Sequence, residues 1–188
     1  MQEVNIKIEK FDPRDPQVYR HLLNLLVEVY KGTNGKYPAM EWLKPEEKPK
    51  PHSDNLPNEF EEKYGPFLRW RLTEELDEVY IAWMRNNKKE IIGSIALNYD
   101  SSGKKIPWIP KEFKKREDIG FIELFTVNPR YQGKGIGKML FEHAINRLKI
   151  MNKTPCVVTF PNLEAVNFYE KFGGKLLKKY DPFVLYCF

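Results

Sequence analysis

The stretch that decides the fold of this chain is Val127-Asn128-Pro129-Arg130-Tyr131-Gln132-Gly133-Lys134-Gly135-Ile136-Gly137-Lys138. It follows a β-rich apolar segment, residues 121–127, and leads directly into an amphipathic helix that we predict over residues 138–150. Three alternating glycines therefore lie in a loop between a strand and a helix. Such a loop turns bare backbone N–H groups toward one point, which the positive end of the helix dipole also faces. The stretch thus predicts a phosphate or pyrophosphate site, although a purely structural strand-to-helix turn would also use glycines.

Two familiar phosphate-binding loops do not fit this stretch. The Walker loop needs a serine or threonine after its lysine, but Met139 follows Lys138. The dinucleotide fingerprint needs a parallel βαβ unit with an acidic residue about twenty positions later. Residues 155–160 offer only Thr159 there, and we expect the surrounding strands to be antiparallel. Neither a magnesium-nucleotide loop nor a Rossmann loop is therefore predicted.

The remaining periodicities predict a single domain over residues 1–188. Alternating apolar residues and turn signals predict strands, and apolar residues three and four apart predict helices. The second helix, capped by Asn58, is expected to break at Gly65-Pro66. The predicted strands cover residues 4–8, 79–84, 91–99, 121–127, 155–160, 175–179 and 183–187, and the helices 17–30, 59–76, 138–150 and 162–172. This order indicates an α/β fold of the α+β type, with a mixed, mostly antiparallel central sheet flanked by helices.

Composition and charge exclude some classes of protein. The net charge of +5 over 188 residues fits a solvated globular domain, and no apolar run is long enough to span a membrane. The N-terminus lacks the basic and apolar regions of a signal peptide. Cys156 and Cys187 form neither a metal-binding spacing nor a disulfide framework, although neighbouring strands could bring them together. We therefore predict two buried thiols without a catalytic part, a cytoplasmic location and no metal.

Two motifs resemble those of the GNAT superfamily of N-acetyltransferases. Gln132-Gly133-Lys134-Gly135-Ile136-Gly137 matches Gln/Arg-x-x-Gly-x-Gly/Ala, the loop that binds the pyrophosphate of acyl-CoA in that family. The segment before it, residues 123–129, looks like the family's splayed fourth strand. Residues 162–173 resemble a second signature, Asn-x-x-Ala-x-x-Phe-Tyr-x-x-x-Gly. The element order also matches, so a GNAT-like acyl-CoA N-acyltransferase fold is expected, with insertions at about residues 31–66 and 101–118 that have no family counterpart.

The resemblance implies that acetyl-CoA is the cosubstrate and assigns residues to it. The backbone of the loop would hold the pyrophosphate, and the fourth strand would pair with the pantetheine arm like an added strand. Lys134 and Lys138 would add charge near the 3′-phosphate, or are solvated lysines at a helix start. Asn162 would hold a pantetheine amide, or only cap its helix. The predicted cofactor-binding residues are Phe125, Thr126, Val127, Gln132, Gly133, Lys134, Gly135, Ile136, Gly137, Lys138, Asn162 and Phe168.

Two side chains are candidates for catalysis under the same resemblance. Glu123, on the fourth strand, would take a proton from the amine directly or through water; the alternative is a solvent-facing glutamate or one paired with a lysine. Tyr169, on the helix of the second signature, would protonate the leaving thiolate; the alternative is a core tyrosine. Neither cysteine is positioned in the sequence to suggest a covalent acyl-enzyme. We therefore expect direct transfer in a ternary complex.

The acceptor is expected to be a primary amine: a small metabolite, a polyamine, or the N-terminus or a lysine of a protein. Acidic residues near the first insertion would favour a cationic acceptor, or belong to an ordinary solvated surface: Glu41, Glu46, Glu47, Asp54, Glu59, Glu61 and Glu62. Five aromatic residues could line the acceptor pocket or belong to the core: Tyr64, Phe67, Trp70, Trp83 and Trp108. The three scattered histidines are expected to be structural, and His143 is expected on the polar side of its helix.

Two other classes of function remain open at this point. A CoA-binding module without significant turnover would share the glycine loop, but the presence of Tyr169 and Glu123 argues for catalysis. A nucleic-acid binder would use the lysines of residues 104–116 with Trp108, yet acidic residues interrupt them and leave no continuous basic stripe. We expect a monomer or homodimer that binds neither a membrane nor nucleic acid.

Overall fold

A computed structural model describes residues 5–85 and 90–188. Its strands are β1 Ile6–Phe11, β2 Glu78–Met84, β3 Glu90–Asn98, β4 Ile119–Val127, β5 Thr154–Thr159, β6 Lys175–Tyr180 and β7 Phe183–Cys187. Its α-helices are α1 Pro16–Gly32, α2 Leu56–Trp70, α3 Lys111–Lys114, α4 Ile136–Ile150 and α5 Ala165–Lys171. The predicted order of strands and helices is confirmed, with the short α3 added. The start of the first predicted strand, Val4, and residues 86–89 of the predicted hairpin connection lie outside the described residues.

The seven strands form one sheet in the order β1-β2-β3-β4-β5-β7-β6. Every neighbouring pair is antiparallel except β4 and β5, which run parallel. The mixed, mostly antiparallel sheet flanked by helices is therefore confirmed. The expectation of antiparallel strands around the glycine loop is wrong, because α4 carries the chain back so that β5 starts beside the start of β4. The dinucleotide fingerprint still fails, since β5 contains no acidic residue.

Alternating side chains of β2 divide between the two faces of the sheet. Val79 and Ile81 pack with α1 and α2 on one face, whereas Tyr80 and Ala82 pack with α4 and α5 on the other. The period of two that predicts the strand therefore also separates the two halves of the core. Each half is closed by helices whose apolar stripes face the sheet.

Three helices begin two or three residues away from the predicted start, whereas α1 begins one residue early at Pro16. α2 starts at Leu56, where a proline in the first turn supports the helix, so Asn58 is not its cap. α4 starts at Ile136, which places the last glycine of the loop inside the helix. α5 starts at Ala165, and Asn162 lies exposed in the preceding turn without capping it. The predicted capping roles of both asparagines are therefore wrong.

The predicted break in the second helix does not occur. α2 passes through Gly65 and Pro66 to Trp70 and continues as a π-helical turn, Arg71–Glu75. A Cβ on Gly65 would lie 2.6 Å from the Tyr19 hydroxyl of α1. The glycine therefore allows α1 and α2 to approach closely, and the exposed proline is accommodated within the helix.

Both insertions carry apolar residues into the interior. In the first, Met40 is buried in the core between α1, α2 and the sheet, and Tyr37 packs against that core. In the second, Ile106 and Ile109 form a third apolar cluster with Phe121 of β4. The first insertion therefore does not lie wholly at the surface, because the buried side chain of Met40 anchors it to the core.

Cys156 of β5 and Cys187 of β7 form a disulfide bond, with their Cα atoms 4.1 Å apart. The two residues are opposite each other in the antiparallel β5–β7 ladder. The prediction of two free buried thiols is therefore wrong. Sequence spacing alone does not reveal this pairing, because the order of the last three strands in the sheet, β5-β7-β6, differs from their order in the chain.

The disulfide bears on the predicted cytoplasmic location. Disulfide bonds are typical of oxidising compartments, although intracellular proteins of hyperthermophiles also contain them. No helix within residues 5–85 and 90–188 is long and apolar enough to cross a bilayer. The cytoplasmic location stays a prediction.

His143 of α4 is half-buried, and its ring packs edge-on against Tyr80 with 4.5 Å between ring centres. Its predicted place on the polar side of the helix is therefore wrong. Burial lowers the pKa of His143, which favours the neutral imidazole that this apolar contact requires.

Candidate active site

The sheet opens between its two parallel strands. β4 and β5 pair only from Ile119 opposite Thr154 to Phe121 opposite Cys156. The rest of β4, residues 122–127, has no partner on β5, so the ladder ends and leaves a gap at one end of the sheet. The splayed fourth strand that the resemblance implies is confirmed.

A bulge interrupts β4 beside this gap. One residue of β3 faces two residues of β4, Leu124 and Phe125. Leu124 has a positive φ of 45°, and its carbonyl accepts a 3.0 Å hydrogen bond from the Ser94 hydroxyl. The Ser94 and Thr126 hydroxyls lie 2.8 Å apart, and both side chains are buried. A bulge takes backbone out of regular pairing, and here two buried hydroxyls hold it in place.

The glycine loop joins β4 to α4 through a short 3₁₀ turn, Pro129–Tyr131. Gly133 and Gly135 have φ values of 76° and 81°, in the left-handed region that favours glycine. Gly137 lies within the helix, and a Cβ there would be 3.4 Å from the Phe125 ring. The need for glycine is therefore conformational at the first two positions and a matter of packing at the third.

The loop has the two physical features of an anion site. The backbone N–H groups of residues 133–138 have no backbone acceptor among the residues that the structure describes. The loop also ends at the N-terminus of α4, a helix of 15 residues whose dipole places partial positive charge there. Free donors and the helix dipole therefore coincide, as the sequence predicts.

Side chains of the loop contribute in different ways. Gln132 Nε2 donates to the Val127 carbonyl at 3.3 Å and so links the two ends of the turn. Ile136 is buried, which leaves only its backbone N–H for a ligand. Lys134 and Lys138 are exposed, the first beside an aromatic ring and the second 3.8 Å from a glutamate of α4. These positions fit both alternatives for the two lysines, a contact with the 3′-phosphate and simple solvation at a helix start.

Glu123 is buried in a network of charged and aromatic side chains. Arg71 Nη2 donates to its Oε2 at 2.7 Å, and Trp108 Nε1 donates to its Oε1 at 3.1 Å. The same guanidinium donates to Glu75 from Nε at 2.6 Å and from Nη2 at 3.0 Å. The side chains of the arginine and both glutamates are less than a tenth exposed. The two alternatives that the sequence left open, that Glu123 faces solvent or pairs with a lysine, are therefore wrong.

This environment changes the acidity of the carboxyl. Burial raises the pKa of Glu123 to about 8, and the negative charge of Glu75 adds to the rise. The charge and hydrogen bond of Arg71, and the hydrogen bond of Trp108, act in the opposite direction and do not cancel it. A carboxyl with a pKa near neutrality exchanges protons at physiological pH, as a general base must.

Tyr169 of α5 is buried among five aromatic rings. Its ring centre lies 5.5 Å from that of Phe141 and 6.4 Å from that of Phe125. Burial raises the pKa of Tyr169, and the charges of Tyr37 and Glu123 raise it further. The hydroxyl therefore stays protonated over the physiological pH range and lies within electrostatic reach of Glu123.

The other two predicted site residues of the second signature occupy different environments. Phe168 is half-buried, with its ring 5.3 Å from the ring of Phe125 on the bulged strand. Asn162 is exposed in the turn before α5. The packing brings Phe168 to the gap, whereas the predicted role of Asn162 toward a pantetheine amide stays a prediction.

Three residues of the site are absent from the sequence-based prediction: Arg71, Glu75 and Tyr37. Arg71 and Glu75 share the helical stripe of Tyr64 and Leu68, which are buried. Two charged residues on an otherwise apolar stripe are the signal that could have identified them. No such signal exists for Tyr37, because its segment has no periodicity.

Four of the five candidate pocket aromatics form a continuous row with Trp42. Ring centres are 4.9 Å apart between Trp42 and Phe67, and 6.1 Å apart between Phe67 and Trp108. Tyr64 and Trp70 flank Phe67 at 5.6 and 5.8 Å. We call these five residues the aromatic row. It begins at Trp108, which binds the Glu123 carboxyl, and ends at Trp42.

The fifth candidate, Trp83, lies apart from this row. It packs on His21 with 4.9 Å between ring centres and lines a cleft of about 480 Å³ between α1 and β1–β3. None of the predicted catalytic or cofactor-binding residues lines that cleft. Within the described chain, no group of three acidic, histidine or cysteine side chains could hold a metal ion.

Comparisons with known proteins agree with this geometry. The sequence profile of the Acetyltransferase (GNAT) family matches residues 37–174. The chain is similar to the crystal structure of a predicted acetyltransferase from Pyrococcus horikoshii, with 44% identity and a TM-score of 0.73 over 96% of this chain and 95% of that one. No curated protein matches it.

Two solved structures with bound ligands share the fold at low identity. One is the PaiA N-acetyltransferase of Thermoplasma acidophilum in complex with coenzyme A, with 18% identity and a TM-score of 0.58 over 97% of both chains. The other is a GNAT family acetyltransferase of Brucella melitensis in complex with acetyl-CoA, with 16% identity and a TM-score of 0.56 over 99% of this chain and 90% of that one.

Proposed function

Because the chain belongs to the GNAT family of acetyltransferases, we propose that it transfers an acetyl group from acetyl-CoA directly to a primary amine in a ternary complex. The observation that carries this proposal is the environment of Glu123, a buried carboxyl with a pKa of about 8 on the strand that borders the gap. A module that only binds coenzyme A would need the loop and the gap, but no titrating carboxyl beside them.

The chain's own groups fit a coenzyme A thioester. The N–H groups of residues 133–138, without backbone acceptors and at a helix N-terminus, suit the charges of a pyrophosphate. The backbone of residues 125–127, unpaired on the β5 side, suits the amides of a pantetheine arm. The thioester would supply the activated acetyl group. The ligands of the two low-identity structures support the same choice of cosubstrate.

A backbone N–H near Thr126 or Val127 would donate to the thioester carbonyl and stabilise negative charge on its oxygen. Such a donor is effective when it is held in place before the reaction, and its loss typically costs about 2.7–4 kcal/mol. The buried contact between Ser94 and the Leu124 carbonyl supplies that rigidity, because it fixes the bulge just before these residues.

Glu123 would act as the general base. An amine arrives mostly as ammonium, and the carboxylate takes its proton directly or through water before the amine attacks. Trp108 and Arg71 each bind one carboxylate oxygen, so the orientation of the base is fixed. A base with a pKa of about 8 is strong enough to accept this proton and is still partly ionised at neutral pH.

Tyr169 would act as the general acid. Its phenol stays protonated because burial and neighbouring charges raise its pKa, so it can donate a proton to the leaving sulfur as the carbon–sulfur bond breaks. The second proton that the nitrogen loses as the amide forms returns the phenolate to the phenol, and the proton held by Glu123 passes to solvent. Both cysteines of the chain are bonded to each other, which removes a cysteine nucleophile and supports direct transfer over a cysteine-linked acyl-enzyme.

The test uses the purified full chain, acetyl-CoA and a panel of primary amines, with thiol release as the rate and mass spectrometry to identify the acetylated amine. We expect thiol release that depends on the amine, and a loss of about 10²–10⁴ in kcat for Glu123→Gln with unchanged affinity for coenzyme A. Coenzyme A binding with no acceleration by any amine would instead establish a binding module.

A further inference from the structure

We propose that the aromatic row is the acceptor subsite and that it selects a primary amine carrying an aromatic group. This inference rests on the proposed function and names its acceptor class. The row runs from the Glu123 carboxyl to the surface, so an amine whose ring lies on the row has its nitrogen at the base.

The aromatic row is continuous from the base to the surface. Trp108 donates to Glu123 at 3.1 Å, and its ring contacts Phe67, which in turn contacts Trp42. Phe67 and Trp108 are half-buried, while Trp42 is 52% exposed. Trp42 therefore continues the partly exposed surface of Phe67 and Trp108 into one apolar patch, and contiguous apolar surface often marks a binding site.

The buried end of the row already contacts a positive charge. The Arg71 guanidinium carbon lies 5.2 Å from the centre of the Trp108 ring and 5.8 Å from that of Phe67. These rings therefore already interact with one fixed cation at their buried end. A further cation on these rings, beyond the reacting ammonium that ionised Glu123 holds, would be repelled by the arginine, whereas a neutral aromatic group would not.

The charges around the proposed base, Glu123, leave no spare negative charge. Arg71 is balanced by Glu75, and Glu123 is mostly protonated below its pKa of about 8. Ionised Glu123 supplies one negative charge, which the reacting ammonium uses. No further carboxylate of this network is left to hold the distant ammonium group of a polyamine.

Three of the seven acidic residues near the first insertion are engaged with other partners. Glu61 pairs with Arg20 and Arg69, and Glu62 pairs with a lysine. Glu59 accepts a hydrogen bond from Ser53. The engagement of these three carboxylates with their own partners weakens the expectation from sequence of a polycationic acceptor.

The experiment compares 2-phenylethylamine and tryptamine with putrescine and spermidine as acceptors for the full chain. We expect kcat/KM to be at least about tenfold higher for the aromatic amines, and Trp42→Ala to raise KM for them about tenfold with little change in kcat. Trp42→Phe should restore most of the loss. Ile150→Ala, at an apolar residue that is 75% exposed on α4, is the control and should change nothing.

Each outcome decides the proposal. A preference for putrescine, spermidine or a lysine peptide, with Trp42→Ala without effect on any KM, would overturn the aromatic subsite and leave the acetyltransferase proposal intact. Failure of every amine to accelerate thiol release would overturn the proposed function itself. A KM rise in Trp42→Ala that is equal for aromatic and aliphatic amines would also reject aromatic selection, because it would indicate a general disturbance of the site.

Discussion

Trp108 Nε1 donates a 3.1 Å hydrogen bond to Glu123 Oε1. This bond joins the second insertion, which lies outside both family motifs, to the proposed base on β4. The backbone of Trp108 is itself held by Tyr180 of β6, whose hydroxyl donates to the tryptophan carbonyl at 2.6 Å. The protonation of the base therefore depends on a residue that the motifs do not contain.

Replacing Trp108 by phenylalanine should shift the pH dependence of the reaction to higher pH. The hydrogen bond from the indole lowers the pKa of Glu123, so its loss raises that pKa from about 8. The base acts when ionised, so the rising limb of kcat/KM should move up by about one pH unit, equivalent to about 1.4 kcal/mol. A profile that superimposes on that of the wild type would argue against this coupling.

Glu75→Gln should shift the same limb in the opposite direction. The negative charge of Glu75 raises the pKa of Glu123, so its removal leaves Arg71 to stabilise the ionised base alone. We expect the rising limb of kcat/KM to move by about one pH unit to lower pH. Glu74→Gln removes an exposed charge from the same turn and is the matched control. Shifts of the same sign in Trp108→Phe and Glu75→Gln would contradict the assignment of the limb to Glu123.

Tyr169→Phe should lower turnover far more than affinity for coenzyme A. The variant keeps the buried ring but removes the proton donor, and positioned acids contribute about 10²–10⁴ in rate. Tyr186→Phe is the control, because its ring is only 6.4 Å from that of Tyr169 but its hydroxyl donates to Glu170. Equal kcat values for Tyr169→Phe and wild type would remove the acid role.

Gly135→Glu should abolish coenzyme A binding in a protein that remains folded. The glycine has φ of 81°, and a side chain there both strains the backbone, by about 1–2 kcal/mol, and places a carboxylate at the anion site. Gly103→Glu is a matched control, because Gly103 has φ of 77° and equally open surroundings in the second insertion. Calorimetry should find a loss of affinity of more than about a hundredfold in the first variant only, with similar changes in Tm for both.

Removing the disulfide should destabilise the protein without changing its chemistry. The bond closes a loop of 31 residues, for which the chain-entropy estimate is about 3–4 kcal/mol. The measurement is denaturant unfolding of Cys156→Ala/Cys187→Ala against wild type, with and without reductant. Wild-type protein that unfolds at the same denaturant concentration with and without reductant would show that the bond does not contribute to stability.

Much of the fold could be predicted because it depends on local patterns. The alternation of side chains in β2 and the apolar stripe of α4 predict which residues face the core. The two motifs identify the glycine loop and α5. Boundaries such as Leu56 and Ala165 differ from prediction because packing, rather than a capping asparagine, decides where those helices begin.

The sequence by itself determined the order of elements, the glycine loop and the candidates Glu123 and Tyr169, since each depends on residues close together in the chain. Only the tertiary structure decided the pairing of Cys156 with Cys187 and the contacts of Glu123 with Arg71 and Trp108. Those contacts join residues 31, 52 and 15 positions apart. Partners so distant meet through strand order and helix packing, and the resulting burial, rather than any local motif, sets the pKa of the proposed base.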